Sequence, residues 1–272
     1  MHPVLLRWGG YTVYWYSALM CLGIVAGVAY AQWQGRRMGL RDLQVLDGAL
    51  WALAGGLVGA RAAYVIPNWA DYATDPWGMV SLGAGRASHW GGGLVFQGGL
   101  LGGLLALGLY GLWARLPPLR LADLAAPAVA LGQSLGWVGA LLHGANYGLV
   151  ARSPFSLWLP DLYGVYGPRF PTQALAAALA LLLFYGLHRL RARRLRSVPA
   201  AQRRGLRAGM SAMIYLSGNG LGHLLLEFTR GDEAPYVGVL RTTQWLELAE
   251  AVVACALLLH LWQRRGASTH EE

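Results

Sequence analysis

The sequence predicts an all-α fold: a polytopic membrane helix bundle with seven transmembrane helices, forming one membrane domain over residues 1–272. Of the 272 residues, 56% are hydrophobic and only 13% are charged, which is about half the charged share that is usual in soluble domains. The 38 glycines and 12 tryptophans suit close helix contacts and anchoring at a membrane interface. Composition therefore argues against a soluble globular fold.

Each predicted helix is an apolar segment close to the roughly 20 residues that span a bilayer. In chain order these segments cover residues 13–33, 46–66, 93–113, 122–143, 173–190, 210–228 and 245–262. Two long connections, at about residues 67–92 and 147–172, are rich in aromatic residues, glycine and proline. We expect them to be outer loops that form a rim or lid over a membrane site.

Arginine supplies all 22 basic residues, and its distribution sets the predicted orientation. Fifteen arginines follow spans one, three, five and seven, six lie on the opposite side, and Arg61 lies within a span. Because short cytoplasmic loops retain positive charge, we expect the N-terminus outside and the C-terminus in the cytoplasm. The net charge of +9 then reflects topology, and no nucleic-acid partner is predicted. The dense run at residues 189–207 also allows a second interpretation, a site for anionic lipid or a partner.

The same composition restricts the possible chemistry. The absence of lysine excludes Schiff-base catalysis and a lysine general base. Cys21 and Cys255 lie in apolar runs without metal-ligand spacing, so we expect them to be packing residues. No metal site and no cofactor are predicted.

Ionisable side chains inside apolar spans are costly and often mark functional sites. Arg61 and Tyr64 are three residues apart in the second span and share a helix face. Arg61 could bind a phosphate with two parallel hydrogen bonds, or extend to the outer interface. The glycine-rich start of the third span, residues 91–103, could present backbone N–H groups to a phosphate. The candidate ligands there are Gln97, Gly98 and Gly99.

The sixth span carries one polar stripe, whose members follow steps of four, four, four and three residues: Tyr215, Asn219, His223, Glu227 and Arg230. His223 and Glu227 lie on adjacent turns, where a carboxylate can orient an imidazole and raise its pKa. This pair could move a proton. The alternative is a structural hydrogen-bond network that joins helices.

The outer end of the fourth span holds a further polar group: Gln133, Trp137, His143 and Asn146, with glycines nearby. An imidazole in this place could act as a base. The alternative is that His143 is a satisfied residue at the membrane interface, which is the more frequent role of a lone histidine there.

Short motifs follow one another in order along most of the chain. They are residues 2–5 with Tyr14-Trp15-Tyr16, Gly59-Ala60-Arg61-Ala62-Ala63-Tyr64, the tryptophan and glycine segment at residues 90–103, Arg169-Phe170-Pro171-Thr172-Gln173, Arg207-Ala208-Gly209 with Glu227-Phe228-Thr229-Arg230, and Thr243-Gln244-Trp245. Each motif is weak alone, but their order is specific. Together they resemble the motifs of the prolipoprotein diacylglyceryl transferase family, of the bacterial inner membrane.

The resemblance implies an activity and its partners. Diacylglyceryl would pass from phosphatidylglycerol to the thiol of a lipobox cysteine in a prolipoprotein signal peptide, at a site exposed to membrane lipids. Tyr16 and Glu227 stand where the family motifs place like residues. The predicted catalytic residues are these two together with His223 and His143. The predicted residues for lipid phosphate are Arg61, Arg230, Tyr64, Gln97, Gly98, Gly99, Asn146 and Gly148.

Some positions depart from the family motifs. Gln97 stands at the histidine of the family's H-G-G, and His223 at an arginine. Trp137, Ala140 and His143 stand at the arginine and the two asparagines of its G-R-x-G-N-F-x-N-x-E signature. One hypothesis is a transferase in which the base has moved to His143 or His223. A second is a family member that binds anionic lipid or a secreted partner without transferase activity, and a third is a small-solute transporter.

Overall fold

The structure is a computed structural model that describes residues 4–9, 11–73, 76–79, 93–197 and 208–267. Its helices are α1 (Trp15–Arg37), α2 (Asp42–Val65), α3 (Trp69–Tyr72), α4 (Phe96–Trp113), α5 (Pro118–His143), α6 (Thr172–Ser197), α7 (Met210–Glu227) and α8 (Thr242–Ala267). Its strands are β1 (Val4–Trp8), β2 (Tyr11–Tyr14), β3 (Leu157–Pro160), β4 (Tyr166–Arg169), β5 (Tyr236–Val237) and β6 (Leu240–Arg241).

Helices dominate the described chain, and six of them are long and apolar enough to cross a membrane. These six are α1, α2, α4, α5, α6 and α8. The predicted all-α polytopic membrane architecture is confirmed at this level. The sixth predicted span, α7, is not among the six, because the polar stripe along its 18 residues lowers its hydropathy.

Three small antiparallel hairpins accompany the helices in the described chain: β1 with β2, β3 with β4, and β5 with β6. The predicted outer loop at residues 147–172 contains the second of them. The other predicted loop, at residues 67–92, contains α3 and a short 3-10 helix at Pro76–Met79. Residues 74–75 and 80–92 of that loop lie outside the described residues, as do residues 198–207 of the basic run.

The chain forms two compact units. The larger unit comprises residues 1–31 and 123–272, and the smaller unit comprises residues 32–122. This division does not test whether the two units belong to one membrane domain, so the single membrane domain stays a prediction.

Glycines bring α1 and α5 close together in the larger unit. A Cβ atom at Gly23 would lie 2.7 Å from the carbonyl oxygen of Gly132, and one at Gly27 would lie 2.9 Å from that of Ala128. The same principle joins α7 to α8, where a Cβ at Gly220 would lie 2.9 Å from the Glu247 carbonyl oxygen. Small residues permit such approaches between helices in a membrane.

The N-terminus of α7 is held by a side chain from α5. The carboxylate of Asp123 accepts hydrogen bonds from the backbone N–H of Gly209 at 2.8 Å and of Ala212 at 3.0 Å. The first N–H groups of a helix have no partner within the helix, so Asp123 supplies one. This contact fixes where the polar stripe of α7 lies along the length of α5.

In the smaller unit, α2 and α4 pack through facing glycines. Cβ atoms at Gly55 and Gly102 would each overlap the opposite backbone or its side chains, and one at Gly56 would lie 3.3 Å from the Gly99 carbonyl oxygen. The opposite side of α4 presents Leu101, Leu105 and Leu109, which are 60–61% exposed. Because these leucines are spaced by four residues, they form a continuous apolar surface suited to lipid.

The glycine packing of α4 predicts a position-specific effect on stability. Gly102→Val places two methyl groups against the α2 backbone and should destabilise the protein by about 1–3 kcal/mol, as overpacking does. Gly108→Val is the matched control, because no atom lies within 4 Å of a Cβ there. Thermal unfolding in detergent should show a lower midpoint for Gly102→Val than for Gly108→Val. Equal midpoints would contradict the close α2–α4 contact.

Candidate functional site

Four charged side chains meet where α7 ends. The Arg230 guanidinium donates hydrogen bonds to Glu227 Oε2 at 2.9 Å and to Asp232 Oδ1 at 2.8 Å, and also pairs with Asp232 Oδ2. Arg241 lies 3.5 Å from Glu227 Oε1 and 3.3 Å from Asp232 Oδ1. We call these four residues the charge cluster. It contains two positive and two negative side chains.

Burial makes the mutual neutralisation in the charge cluster necessary. The side chains of Glu227, Arg241 and Arg230 are 3%, 8% and 14% exposed. Burial alone would lower the pKa of Arg230, but the carboxylates of Asp232 and Glu227 raise it above the usual arginine value. Arg230 therefore remains charged.

Asn146 and Thr243 each add a hydrogen bond to the charge cluster. Asn146 Oδ1 accepts a hydrogen bond from Arg230 Nη2 at 2.9 Å, and Thr243 Oγ1 donates to Glu227 Oε1 at 2.6 Å. Asn146 has a φ of +52°, in the left-handed region that asparagine tolerates better than most residues. Within the described part of the chain, four of the five Arg230 N–H groups are thus engaged, and one on Nη1 remains.

A backbone ribbon fixes the position of Arg230. Leu149 N–H donates to the Thr229 carbonyl at 2.8 Å, and Gly231 N–H donates to the Tyr147 carbonyl at 2.8 Å. On the other side, Phe170 N–H donates to the Leu149 carbonyl at 2.9 Å. Gly148 lies in the middle of this ribbon, where a Cβ would overlap the Phe170 carbonyl oxygen. Glycine at position 148 thus lets two backbone segments of the site approach each other. A direct role of Gly148 in phosphate binding remains a prediction.

Deeper along α7, a chain of side-chain hydrogen bonds joins α5, α7 and α8. Tyr215 Oη donates to Gln133 Oε1 at 2.9 Å, and Gln133 Nε2 donates to Asn219 Oδ1 at 2.8 Å. Asn219 Nδ2 donates in turn to Glu250 Oε1 at 3.0 Å. We call this arrangement the polar chain. The polar chain is a hydrogen-bond network that joins helices, which is the alternative interpretation of the polar stripe of α7.

His223 belongs to the polar chain and not to the charge cluster. Its Nε2 lies 3.2 Å from Gln133 Nε2, and its ring stacks on Trp137 with centroids 5.3 Å apart. The hydrogen bonds and ion pairs of Glu227 within the described chain go instead to Arg230, Arg241 and Thr243. The predicted His223–Glu227 pair is therefore not formed. The i,i+4 spacing placed both on one face, but their side chains turn toward different helices.

His143 has aromatic neighbours at the C-terminal end of α5. Its ring lies 5.4 Å from the Tyr14 ring, edge on, and 5.8 Å from the Tyr16 ring, in a stacked arrangement. Its Nδ1 atom is buried and makes no hydrogen bond to any described residue. The structure thus brings together two predicted catalytic residues, His143 and Tyr16. Their catalytic roles remain predictions.

Arg61 lies in the smaller unit and donates to three backbone carbonyls: those of Met79 at 2.8 Å, Gly78 at 2.7 Å and Gly93 at 3.0 Å. Its guanidinium carbon also lies 5.7 Å from the Tyr64 ring centroid and 5.5 Å from that of Tyr72. Gly93 has a φ of +68°, and a Cβ there would overlap the Arg61 side chain. Arg61 therefore joins α2 to the 3-10 helix at Pro76–Met79 and to Gly93, and lipid-phosphate binding by Arg61 and Tyr64 remains a prediction.

The start of α4 places the predicted phosphate ligands Gln97, Gly98 and Gly99 in its first turn. Gly99 N–H donates to the Val95 carbonyl at 3.1 Å, so it is not available to a phosphate. A Cβ at Gly98 would overlap the backbone of Gly59, which gives this glycine a role in α2–α4 packing. A phosphate role for Gln97 and Gly98 stays a prediction.

Sequence reasoning missed Asp232, Arg241, Thr243 and Glu250 of the site, and also the buried Glu247 on the same helix as the last two. Glu247 is 3% exposed in α8. Three of these residues could have been found from their spacing. Thr243, Glu247 and Glu250 are four and three residues apart within an apolar segment, and this spacing places them on one helix face. Asp232 and Arg241 gave no periodic signal, because they lie in the connection between α7 and α8.

A sequence model of the prolipoprotein diacylglyceryl transferase family matches residues 3–260. The chain belongs to this family. It is 30% identical over 280 residues to the phosphatidylglycerol–prolipoprotein diacylglyceryl transferase of Gloeobacter violaceus, covering 99% of this chain and 95% of that relative. It is 29% identical over 275 residues to the enzyme of that name from Trichormus variabilis, covering 97% and 90%.

Membership of the diacylglyceryl transferase family confirms the resemblance drawn from the ordered motifs. A third relative, the Streptococcus agalactiae protein of the same name, is 27% identical over 269 residues and covers 96% of both chains. The matches extend over all eight helices, so the family assignment includes both the charge cluster and the polar chain.

The polar chain predicts a stability effect at Gln133. Gln133→Leu would remove the hydrogen-bond partner of Tyr215 and His223 and one of the partners of Asn219 in a buried setting, at a cost of about 1–3 kcal/mol. Gln263→Leu is the matched control, because Gln263 is exposed on α8. Thermal unfolding should give a lower midpoint for Gln133→Leu only. A midpoint equal to that of the control would show that the chain contributes no net stability.

Proposed function

We propose that the protein transfers the diacylglyceryl group of phosphatidylglycerol to the thiol of a lipobox cysteine in prolipoproteins, at the bacterial inner membrane. Family membership over residues 3–260 supports this activity. The observation that carries it at the level of the site is Arg230, a buried cation with one N–H group remaining beyond its described partners.

The reaction explains why a cation is needed there. The cysteine S–H loses its proton to a base, a sulfur–carbon bond forms at the glyceryl carbon, and the carbon–oxygen bond to phosphate breaks. The phosphodiester has one negative charge, and the glycerol phosphate that leaves acquires a second. Arginine is suited to stabilise this developing charge, because its planar N–H groups match phosphate oxygens and it stays protonated.

We further propose seven spans, with the N-terminus outside and the C-terminus in the cytoplasm. In this arrangement α7 crosses the membrane beside α8 and carries its polar side chains toward α5 and α8, where they find hydrogen-bond partners. All three hairpins then lie on the outer side. The tight connections at residues 38–41 and 114–117, with Arg41 and Arg115, lie on the cytoplasmic side, as the positive-inside rule expects.

For the proton acceptor we propose His143, assisted by Tyr16. Its Nδ1 atom lacks a hydrogen-bond partner among the described residues, whereas His223 is held against Trp137 and Gln133. Glu227 then has a supporting role, because its carboxylate orients Arg230. Arg61 is proposed as a second arginine for lipid phosphate, in the smaller unit.

A second candidate function is binding of anionic lipid or a secreted partner without transfer. The observation that favours it is the arrangement of His223 and Glu227: the imidazole is stacked on Trp137, and the carboxylate is engaged by two arginines. Neither group is then placed to accept a thiol proton. The two functions differ in whether a thioether forms, and one assay separates them.

The assay combines purified protein, vesicles of phosphatidylglycerol and a lipobox peptide. We expect a peptide whose mass has increased by one diacylglyceryl group, with release of glycerol phosphate. Arg230→Gln should slow this transfer by about a hundredfold or more, the usual effect of removing a group that stabilises developing charge. Arg152→Gln is the control, because Arg152 is an exposed arginine of the same unit. Retention of phosphatidylglycerol without thioether, where another family member is active, would support the binding function instead.

A comparison of two histidines tests the proposed base. His143→Phe should slow transfer by about a hundredfold or more, and its rate should recover as the pH rises toward the ordinary thiol pKa of about 8.5, because the thiolate then forms without a base. His223→Phe keeps an aromatic ring on Trp137 and should remain within a few-fold of the original rate. The reverse pattern, with loss only in His223→Phe, would assign the base to α7.

A further inference from the structure

Arg241 is a buried cation in the connection between α7 and α8, with no assigned role. Its side chain is 8% exposed, so it offers little surface to a substrate. Its Nη2 atom donates to the backbone carbonyls of Arg230 and Asp232, both at 2.9 Å. Its own backbone N–H donates to Gln244 Oε1 at 2.8 Å, which ties it to the first turn of α8.

The contacts of Arg241 reach both carboxylates that surround Arg230. Nη1 lies 3.3 Å from Asp232 Oδ1 and 3.5 Å from Glu227 Oε1. Without Arg241, the other three side chains of the charge cluster would carry two negative charges and one positive charge. That net charge of −1 would repel a phosphate. With Arg241 the four side chains linked by these contacts are neutral.

We propose that Arg241 is a positioning residue that compensates the charges of Glu227 and Asp232, so that Arg230 can accept an anionic lipid phosphate. This inference rests on the proposed role of Arg230 in phosphatidylglycerol binding. Two effects combine in it. The bonds to the Arg230 and Asp232 carbonyls hold the turn that carries Arg230, and the charge offsets the field of two carboxylates at the same place.

A variant series separates the charge effect from the structural effect. Arg241→Gln removes the charge, Arg241→Lys keeps it with fewer hydrogen bonds, and Asp232→Asn removes one opposing carboxylate. The double variant Arg241→Gln/Asp232→Asn returns the cluster to neutrality without restoring the lost bonds. Arg152→Gln again serves as the control for loss of an arginine at an exposed position.

Phosphatidylglycerol is the probe, titrated into purified full-length protein in detergent, with bound lipid measured by native mass spectrometry. We expect Arg241→Gln to weaken binding roughly tenfold, the effect of one unit charge several ångströms away at an intermediate dielectric constant. Arg241→Lys should lose less than Arg241→Gln. The double variant should bind more tightly than Arg241→Gln, and Asp232→Asn alone should bind more tightly than the unmodified protein.

The sign of the Asp232→Asn effect decides the inference. A purely structural role predicts weaker binding, since this change removes bonds to both arginines, and it predicts no recovery in the double variant. Either result, or unchanged binding in Arg241→Gln, would overturn the inference. Thermal unfolding identifies any variant that fails to fold, and the remaining variants still give the sign of the charge effect.

The transfer assay distinguishes failure of the inference from failure of the proposed function. Where transfer occurs, Arg241→Gln should raise the KM for phosphatidylglycerol about tenfold with a smaller change in kcat, and the double variant should lower it again. If the unmodified protein binds the lipid but forms no thioether, the transferase proposal fails while the binding series still supports Arg241. If the unmodified protein binds no phosphatidylglycerol, the inference is overturned.

Discussion

The cost of holding charge in a region of low dielectric constant governs this protein. Glu227 and Arg241 are almost completely buried, and an isolated charge in such a place costs several kcal/mol. Two arginines and two carboxylates therefore meet in one cluster. The surrounding backbone follows from that requirement: the ribbon at residues 147–151 must pass close enough for Asn146 to reach Arg230, and only glycine at position 148 leaves room for it.

The helices that support the cluster are held by backbone proximity, because lipid removes much of the hydrophobic drive for helices to associate. Gly23 and Gly132 set the distance of α1 from α5, and Gly220 sets that of α7 from α8. At such distances short side chains such as Asn219 and Gln133 reach across to another helix. Close packing and the polar chain thus depend on each other, since a wider separation would leave buried amides without partners.

The membrane helices were predictable from sequence because bilayer thickness imposes a length and a composition that can be read directly. The hairpins were not, since their strands have only two to five residues and lie in segments whose aromatic and glycine content also fits irregular loops. α4 begins at Phe96, three residues after the predicted start at Gly93, because the positive φ of that glycine has no signature in composition.

The candidate site was predictable only in part, for a geometric reason. A periodicity of four placed His223 and Glu227 on one face of α7, but a helix face does not specify which neighbouring helix each side chain meets. His223 turns to Gln133 and Trp137 on α5, while Glu227, at the last turn, reaches Arg230 and Arg241 beyond the helix. Asp232 and Arg241 could not be found by periodicity at all, because contacts between connecting segments depend on the tertiary fold.

The division between the polar chain and the charge cluster follows from position along α7. Tyr215, Asn219 and His223 lie along α7 and make hydrogen bonds with Gln133 of α5 and Glu250 of α8, whereas the described ion pairs of α7 begin only at its last turn. In the proposed arrangement of seven spans, water and lipid headgroups lie nearer to that end, so charge costs less there. At positions 137 and 223 the family motifs have arginine, and this chain has a stacked tryptophan and histidine. With less cationic charge along α7, the proposed attraction of a lipid phosphate in the larger unit falls to the arginines at the end of this helix. In that proposal, the balance of charge around Arg230 determines whether an anion is accepted.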